Sequence, residues 1–429
     1  MKRRTSKKIN TVVTRRDFLR SSVVTAAAFA VPTIVPSSVF GANAPSNRIT
    51  IGSIGLGGMG TGNMKGFKGK SGSQVVALCD VDAGYLEKAR QTAGLDEKSC
   101  YNDFRDLLAR DDVDAVVVAT PDHWHVPASI AAVKAGKDVY CEKPLTLTIA
   151  GGRALADAVK RYGRVLQTGS QQRSGSEFHR ACELVRNGRI GKLHTIKVGI
   201  PGNNRKCPPT WEAKPVPEGF DYDMWLGPAP WEPYTEQRCH YQFRFILDYS
   251  GGQMTNWGAH YLDIAQWGND ADDTGPVEIE GKGDFPESGL FTTAKKVDIT
   301  YTYANGVKLL LTTGGGNTRF EGSDGWVFVT RGKIDAEPKS LLKEKIGADE
   351  IKLYNSRDHK QNFLDCIKSR KDPIASAEIG HRSSTVCHLG NIAMLLGRKL
   401  KWDPKEERFI NDSAADSMIG RSMRSPWRL

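Results

Sequence analysis

Arg48-Ile49-Thr50-Ile51-Gly52-Ser53-Ile54 alternates in the manner of a strand and runs directly into Gly55-Leu56-Gly57-Gly58-Met59-Gly60. This is a G-x-G-x-x-G run placed where a nucleotide fold needs one. The first glycine permits a tight turn, the second lets the backbone approach a pyrophosphate, and the third lets the next helix pack closely with its amino end toward the phosphates. Alone, such a loop is a weak signal. Here a second apolar run, Gln74 to Cys79, ends in Asp80, 20 residues beyond Gly60. An acid at that point accepts from ribose hydroxyls and repels a 2′-phosphate, so the cofactor expected is NAD rather than NADP. Gly55, Gly57, Gly58, Met59, Gly60 and Asp80 are the first expected cofactor contacts.

Further along, Ala115 to Ala119 is a continuous apolar run, the mark of a parallel strand covered on both faces, and it ends in Thr120-Pro121-Asp122-His123-Trp124-His125. Thr120, Pro121 and His125 therefore fall at the carboxyl edge beside the glycine loop. His125 reads either as a cofactor contact or as a helix-start residue capping its own backbone. A helix from Val126 to Ala135 leads to a short strand, Lys137 to Cys141, which delivers Glu142 and Lys143 to the same edge. A lysine there can hydrogen-bond a carbinol hydroxyl or, partly desolvated, accept its proton. Pro144 stiffens the turn. By itself the tripeptide reads more readily as a surface lysine before a proline; the neighbouring nucleotide signals favour the catalytic reading. Val165 to Gln167 makes a sixth strand and closes a doubly wound domain over 48–170.

After Gly169 the texture changes. A polar turn at Ser170 to Ser174 brings Gln171 and Arg173, and from Leu193 to about Thr330 strand-like runs alternate, predicting one large, mostly antiparallel, open-faced sheet. The fold class is thus α/β, with a Rossmann domain followed by an α+β substrate domain over 171–358 and C-terminal helices over 359–429 packing back across both. Pro208 to Pro233 is rich in Pro and Trp and reads as a long structured loop over a pocket. In Gly251 to Asp263, Asn256, His260 and Asp263 share one helical face. That face is either a polar stripe toward a sugar and the nicotinamide or a solvated face carrying a stray histidine. His381 and His388 read as packed or capping residues.

The net charge of +11 is concentrated at the start of the chain, where residues 1–44 hold eight Lys or Arg against Asp17 alone, and the rest carries only +4. No dense basic face remains, so a nucleic-acid partner is not expected. Thr14-Arg15-Arg16-Asp17-Phe18-Leu19-Arg20 and the apolar run from Ser22 to Val35 form a twin-arginine export signal over 1–44. The expected location is periplasmic or otherwise exported, with the twin-arginine translocase as a transient partner. The eight cysteines are scattered with no C-x-x-C pair, so no metal site is expected, and only Cys207 with Cys239 merits consideration as a bond.

Together the glycine loop, Thr120-Pro121-Asp122, Ala135-Gly136-Lys137 leading to Glu142-Lys143-Pro144, and the segment Gly251 to Asp263 resemble the glucose-fructose oxidoreductase and inositol dehydrogenase (Gfo/Idh/MocA) family over essentially the whole chain after residue 47. The resemblance implies that Lys143 touches both nicotinamide and substrate hydroxyl and that Pro144 follows a cis bond. It implies that His260 acts as acid/base and that Arg173 lines the pocket. The family's carboxylate partner of that histidine is here Asn256; Asp263, nearly a turn on, is the expected substitute. Lys143 and His260 are therefore the catalytic candidates. Glu142 joins the cofactor contacts, and Gln171, Arg173, Asn256 and Asp263 are the substrate candidates. The implied function is NAD-dependent oxidation of a secondary hydroxyl of a sugar, glycoside or cyclitol, with the cofactor retained through export. The alternatives are a redox-neutral glycosidase that oxidises, eliminates and re-reduces, and a non-catalytic binding protein. A homo-oligomer is expected from the open sheet.

Overall fold

The computed structural model describes residues 47–429; the expected export signal over 1–44 lies outside the described residues. The first sheet contains β1 (Ile49–Ile54), β2 (Ser73–Cys79), β3 (Cys100–Tyr101), β4 (Ala115–Val118), β5 (Asp138–Cys141) and β6 (Leu166–Thr168), in the order β3-β2-β1-β4-β5-β6. All its pairings are parallel. β4 is buried at every position, which is why its sequence is apolar without alternation. The helices between these strands are α1 (Gly58–Lys68), α2 (Ala83–Ala93), α3 (Phe104–Leu108), α4 (Asp122–Lys134) and α5 (Ile149–Tyr162). The strand order reverses between β1 and β4, and ligands of such sheets bind in the crevice at that reversal. α4 starts four residues earlier than expected. Pro121 stands at its cap with the extended backbone that precedes a helix, so Asp122 to His125 form a buried first turn rather than a loop.

The second sheet has nine strands: β7 (Leu193–Ile200), β8 (Pro276–Asp284), β9 (Lys296–Tyr303), β10 (Lys308–Thr313), β11 (Asn317–Gly322), β12 (Trp326–Thr330), β13 (Lys333–Glu337), β14 (Leu400–Asp403) and β15 (Arg408–Phe409). Only β7 with β10 is parallel. In β9, Val297, Ile299, Tyr301 and Tyr303 point inward at period two. They meet Ile196, Val198, Leu309, Leu311 and Phe320 in the main core, each contributing about 1.5–3 kcal/mol on burial. Covering that face are α6 (Ser176–Arg186) and, after the short α7 (Tyr222–Leu226) and α8 (Gln253–Asn256), α9 (Gly258–Gly268); α10 (His359–Ser369) packs instead on the first sheet, its Phe363 and Leu364 against Ile51, Val117 and Tyr140, and α11 (Ala377–Leu396) returns to the second.

α11 is buried over most of its 20 residues because both halves of the molecule cover it. Tyr301 OH donates to Val386 O at 3.1 Å on one side, and His388 Nε2 meets Thr146 O at 2.9 Å on the other. The C-terminal segment is more than helices, contrary to expectation. β14 pairs antiparallel with β8 and extends the second sheet. Its alternation spans only Leu400 to Trp402, too short to separate from the end of a helical pattern.

The Pro/Trp loop is pinned to the carboxyl end of β2. Asp221 N donates to Val81 O at 2.9 Å, and Ala83 N to Gly219 O at 2.9 Å. With the segment that follows, it forms a small aromatic core that includes Phe220, Tyr222, Trp225, Phe243 and Tyr249. All eight cysteines are free, Cys207 and Cys239 included.

Candidate active site

The loop after β1 shows why two of its glycines cannot be replaced. Gly55 has φ +84°, and a Cβ there would lie 2.8 Å from the Ala119 backbone. At Gly60 a Cβ would lie 1.8 Å from Gly55 O, so this residue fixes how closely α1 approaches the loop. Gly57 and Gly58, in contrast, face open space, and no side chain caps the first amides of α1. Those amides and the helix dipole form an anion cradle of the kind a pyrophosphate takes.

In front of the cradle lies a cavity of about 460 Å³ lined by Gly55, Gly57, Gly58, Met59, Asp80, Thr120 and Pro121. Further walls come from Phe220 and Trp225 of the Pro/Trp loop and from His240, Tyr241 and Arg244 of the segment that follows it, none of which stood out in the sequence. Asp80 accepts from Leu56 N and, at 2.9 Å, from Asp82 N. Burial pushes its carboxyl up to about 6 against those two bonds. Oxygen lone pairs remain for hydroxyl donors, so open glycines, an acid at the second strand and apolar walls together fit a dinucleotide.

Gly60, Glu142 and His125 do not line this cavity. Gly60 is packed behind the loop. Glu142 is buried; it accepts from Asn63 Nδ2 at 2.8 Å and from Lys143 N at 3.2 Å. His125 points one ring nitrogen at Thr120 O, 3.0 Å, and the other at Pro144 O, 2.6 Å. Its partners are therefore the backbones of two turns.

Lys143 emerges after β5, ahead of a cis Pro144, into a pocket of about 40 Å³. Met59, Thr120 and Arg244 line both cavities, so the two adjoin. Lys143 Nζ donates to Asn256 O and to Asn256 Oδ1, each at 3.0 Å. Burial lowers its pKa below the ordinary lysine range; Glu142 and Asp122 oppose this, while Arg244 and Arg331 reinforce it. Asp122, which the sequence reading quoted but assigned no role, lines the same pocket and accepts from Ser250 Oγ at 2.6 Å.

The segment with His260 is not one helix. The helical hydrogen bonding is interrupted at Trp257, between α8 and α9, although Trp257 itself keeps a right-handed helical backbone. Every residue of α9 is buried, which removes the solvated-face reading. His260 is held neutral: burial drives its pKa well below the usual histidine value, and Lys143 and Arg331 add to the effect. Its Nδ1 is buried without a hydrogen-bond partner among the described residues.

Asp263 does not supply one, contrary to expectation. Both its oxygens bind Arg173 Nε, at 3.0 and 2.8 Å, and Ser383 Oγ donates to it at 2.6 Å. Arg173 also pairs with Asp272 and is 1% exposed, so it does not line the pocket either. Its guanidinium is a buried strut between the start of α6 and α9. Gln171 is exposed and lines neither cavity.

Fold and site together define a two-domain protein of the dinucleotide-binding oxidoreductase type. The family models match on both parts, residues 49–170 as an oxidoreductase-family NAD-binding Rossmann fold and residues 201–429 as an oxidoreductase-family C-terminal alpha/beta domain, and the chain belongs to the Gfo/Idh/MocA oxidoreductase family. A glycosyl hydrolase family 109 protein of Shewanella sp. is 34% identical over 200 residues, 42% of this chain and 44% of that protein. Myo-inositol 2-dehydrogenase of Thermotoga maritima is 32% identical over 174 residues, 41% of this chain and 51% of that enzyme. The chain thus spans about half the length of the curated relatives it matches. Among solved structures, the WlbA dehydrogenase of Bordetella pertussis in complex with NADH and UDP-GlcNAcA superposes with a TM-score of 0.63 at 18% identity, covering 83% of this chain and 99% of that one. The aldose-aldose oxidoreductase of Caulobacter crescentus gives 0.61 at 21% identity, covering 82% and 99%. These two likenesses concern the fold.

Proposed function

We propose that the protein oxidises a secondary hydroxyl of a sugar, glycoside or cyclitol, with hydride transfer to NAD. The observation that carries this reading is a lysine of lowered pKa in a pocket that opens onto the dinucleotide cavity. Bound nicotinamide supplies the hydride acceptor. Two of the three ammonium donors of Lys143 are taken by Asn256. The third is left for the substrate hydroxyl, polarising it or, after loss of a proton from Nζ, accepting its proton as the carbon is oxidised. His260 lines neither cavity, but it is neutral, has an unpartnered Nδ1 and feels the charge of Lys143, which supports a role in taking the proton onward. Asn256 orients Lys143 and does not charge-stabilise His260.

The similarity to proteins named glycosyl hydrolase family 109 supports a second reading, a redox-neutral glycosidase in which oxidation activates elimination of the aglycone. Incubating the purified protein with a panel of glycosides, following both reduced nicotinamide and released aglycone, separates the two. Reduced nicotinamide without aglycone marks a dehydrogenase, aglycone without net reduction marks the glycosidase, and neither marks a binding protein.

The twin-arginine signal supports export in the folded state with NAD already loaded, as an exported enzyme meets little free nucleotide. The Pro/Trp loop over the cavity supports slow release. Protein purified without added nucleotide then yields near-stoichiometric NAD or NADH on denaturation; folded, washed protein that proves empty overturns this. Light scattering tests the expected homo-oligomer.

A further inference from the structure

Arg244, which lines the Lys143 pocket, and the exposed Arg205 and Arg331 have aromatic partners but, among the described residues, no acidic ones. On the Pro/Trp loop side, Tyr241 lies under two guanidiniums, Arg205 at 4.9 Å and Arg244 at 4.6 Å from the ring centroid. In the turn between β12 and β13, Arg331 lies 4.9 Å over the ring of Trp257. That ring meets His260 edge to face at 6.1 Å and stacks on Tyr261 at 6.2 Å. Among the described residues none of these three arginines forms an ion pair; the hydrogen bonds of Arg205 and Arg244 go to backbone carbonyls. Their neighbours do pair: Arg238 of the same segment with Glu232, and Arg319 of β11 with Glu321.

Uncompensated positive charge at a pocket is costly to assemble, because each guanidinium raises the potential felt by the next and by the ammonium of Lys143. Arg244 lines the Lys143 pocket, whereas Arg331 is exposed and stands over Trp257, the residue next to Asn256; the charges of both bear on Lys143, and that of Arg331 on His260. A planar guanidinium already laid over an aromatic ring is pre-organised to receive an oxyanion edge-on while the ring offers a face to a sugar. The cofactor's pyrophosphate accounts for part of this charge at most. Arg244 lines the dinucleotide cavity as well as the Lys143 pocket, but Arg331 lies on the second sheet and does not line that cavity.

We propose, resting on the oxidoreductase reading of the same site, that the substrate is an anionic sugar, bearing a carboxylate or a sulfate or phosphate ester. Arg331, with Arg244, receives the anion while the hydroxyl to be oxidised meets Lys143. Trp257 serves as the platform for the ring between them.

The test uses the full-length protein with NAD and matched aryl glycosides: a neutral hexoside, the corresponding uronide, and the 6-sulfate and 6-phosphate, which separate the sources of the anion. Both reduced nicotinamide and aglycone are followed. At least one acidic member is expected to exceed the neutral one in kcat/KM by about tenfold or more, with the gap narrowing as salt is raised. Arg331→Gln collapses the acid-to-neutral ratio toward one, chiefly through KM, and Arg331→Lys keeps part of it. Titrated NAD affinity stays within about twofold in Arg331→Gln, since the residue is outside the dinucleotide cavity. Turnover of neutral glycosides without acid preference sinks the anionic substrate and leaves the oxidoreductase. A loss in Arg331→Gln equal for acidic and neutral sugars, or a matching loss of NAD affinity, also overturns it. If nothing is turned over, calorimetry with the same panel decides: acidic sugars bound in an Arg331-dependent way keep the inference while the oxidoreductase reading falls, and no such binding ends both.

Discussion

The turn that carries Lys143 and the broken helix that carries His260 serve neighbouring parts of the site, yet their polar atoms are satisfied in different ways. Around Lys143 the framework is closed: Asn256 takes two ammonium donors, Asn63 holds Glu142, and His125 bridges Thr120 O and Pro144 O. Around His260 it is open, since Nδ1 has no partner and the nearby carboxylate of Asp263 is committed to Arg173 and Ser383. A side chain with a complete frame keeps one position and a shifted pKa, which is what a group touching the substrate needs. A buried imidazole without a carboxylate stays neutral and can accept a proton but cannot hold it against Lys143 and Arg331. The first is a positioned donor, the second a weak relay.

The largest test of that contrast is Lys143→Ala, expected to lower kcat by about 10³-fold or more while NAD still binds, because cofactor contacts lie in the separate glycine cavity. Steady-state kinetics beside nucleotide titration reads both; a modest loss of turnover would place the chemistry elsewhere. Next is Arg173→Met, which leaves Asp263 as an unpaired buried charge. The cost is about 3–5 kcal/mol of stability, seen as a lowered unfolding midpoint in denaturant. A raised KM with unchanged stability would return Arg173 to the substrate pocket. His260→Ala should cost about 10²-fold in kcat if the imidazole relays protons. Less than tenfold reduces it to packing.

The smallest expected effect concerns Asp80. Its folded pKa, about 6, is raised above the usual carboxylate value, so the protonated form stabilises the apoprotein at low pH and this contribution is lost as pH rises through about 6. NAD binding runs the other way, since the ionised carboxylate is the better acceptor for ribose hydroxyls. Affinity should tighten by up to about tenfold between pH 5 and 7, and Asp80→Asn should flatten both profiles. A pH-independent affinity in the unmodified protein would remove Asp80 from the ribose site.

Much of the nucleotide half was legible because its signals are local. A glycine loop after a strand, an acid at the end of the next and an all-apolar β4 depend on neighbours within a turn or a strand, and the structure places Gly55, Gly57, Gly58, Met59, Asp80, Thr120 and Pro121 around one cavity. The period-two pattern likewise marked the mostly antiparallel sheet. What was illegible involves partners far apart in the chain. Phe220 reaches the cavity through the Pro/Trp loop pinned beyond β2, and His240, Tyr241 and Arg244 reach it from the segment that follows that loop.

The amino-acid sequence by itself determined the two-sheet α/β plan, the dinucleotide loop and the arrival of Lys143 at the shared edge, since periodicity and turn chemistry act within a few residues. Tertiary structure alone decided which charges neutralise one another. Arg173 and Asp263, 90 residues apart, both looked like pocket residues, and their pairing withdraws both from the pocket and leaves His260 without a carboxylate. It also left Arg331 above Trp257 without an ion pair among the described residues. Electrostatic partners are chosen by distance in the folded chain, and no local pattern records that distance.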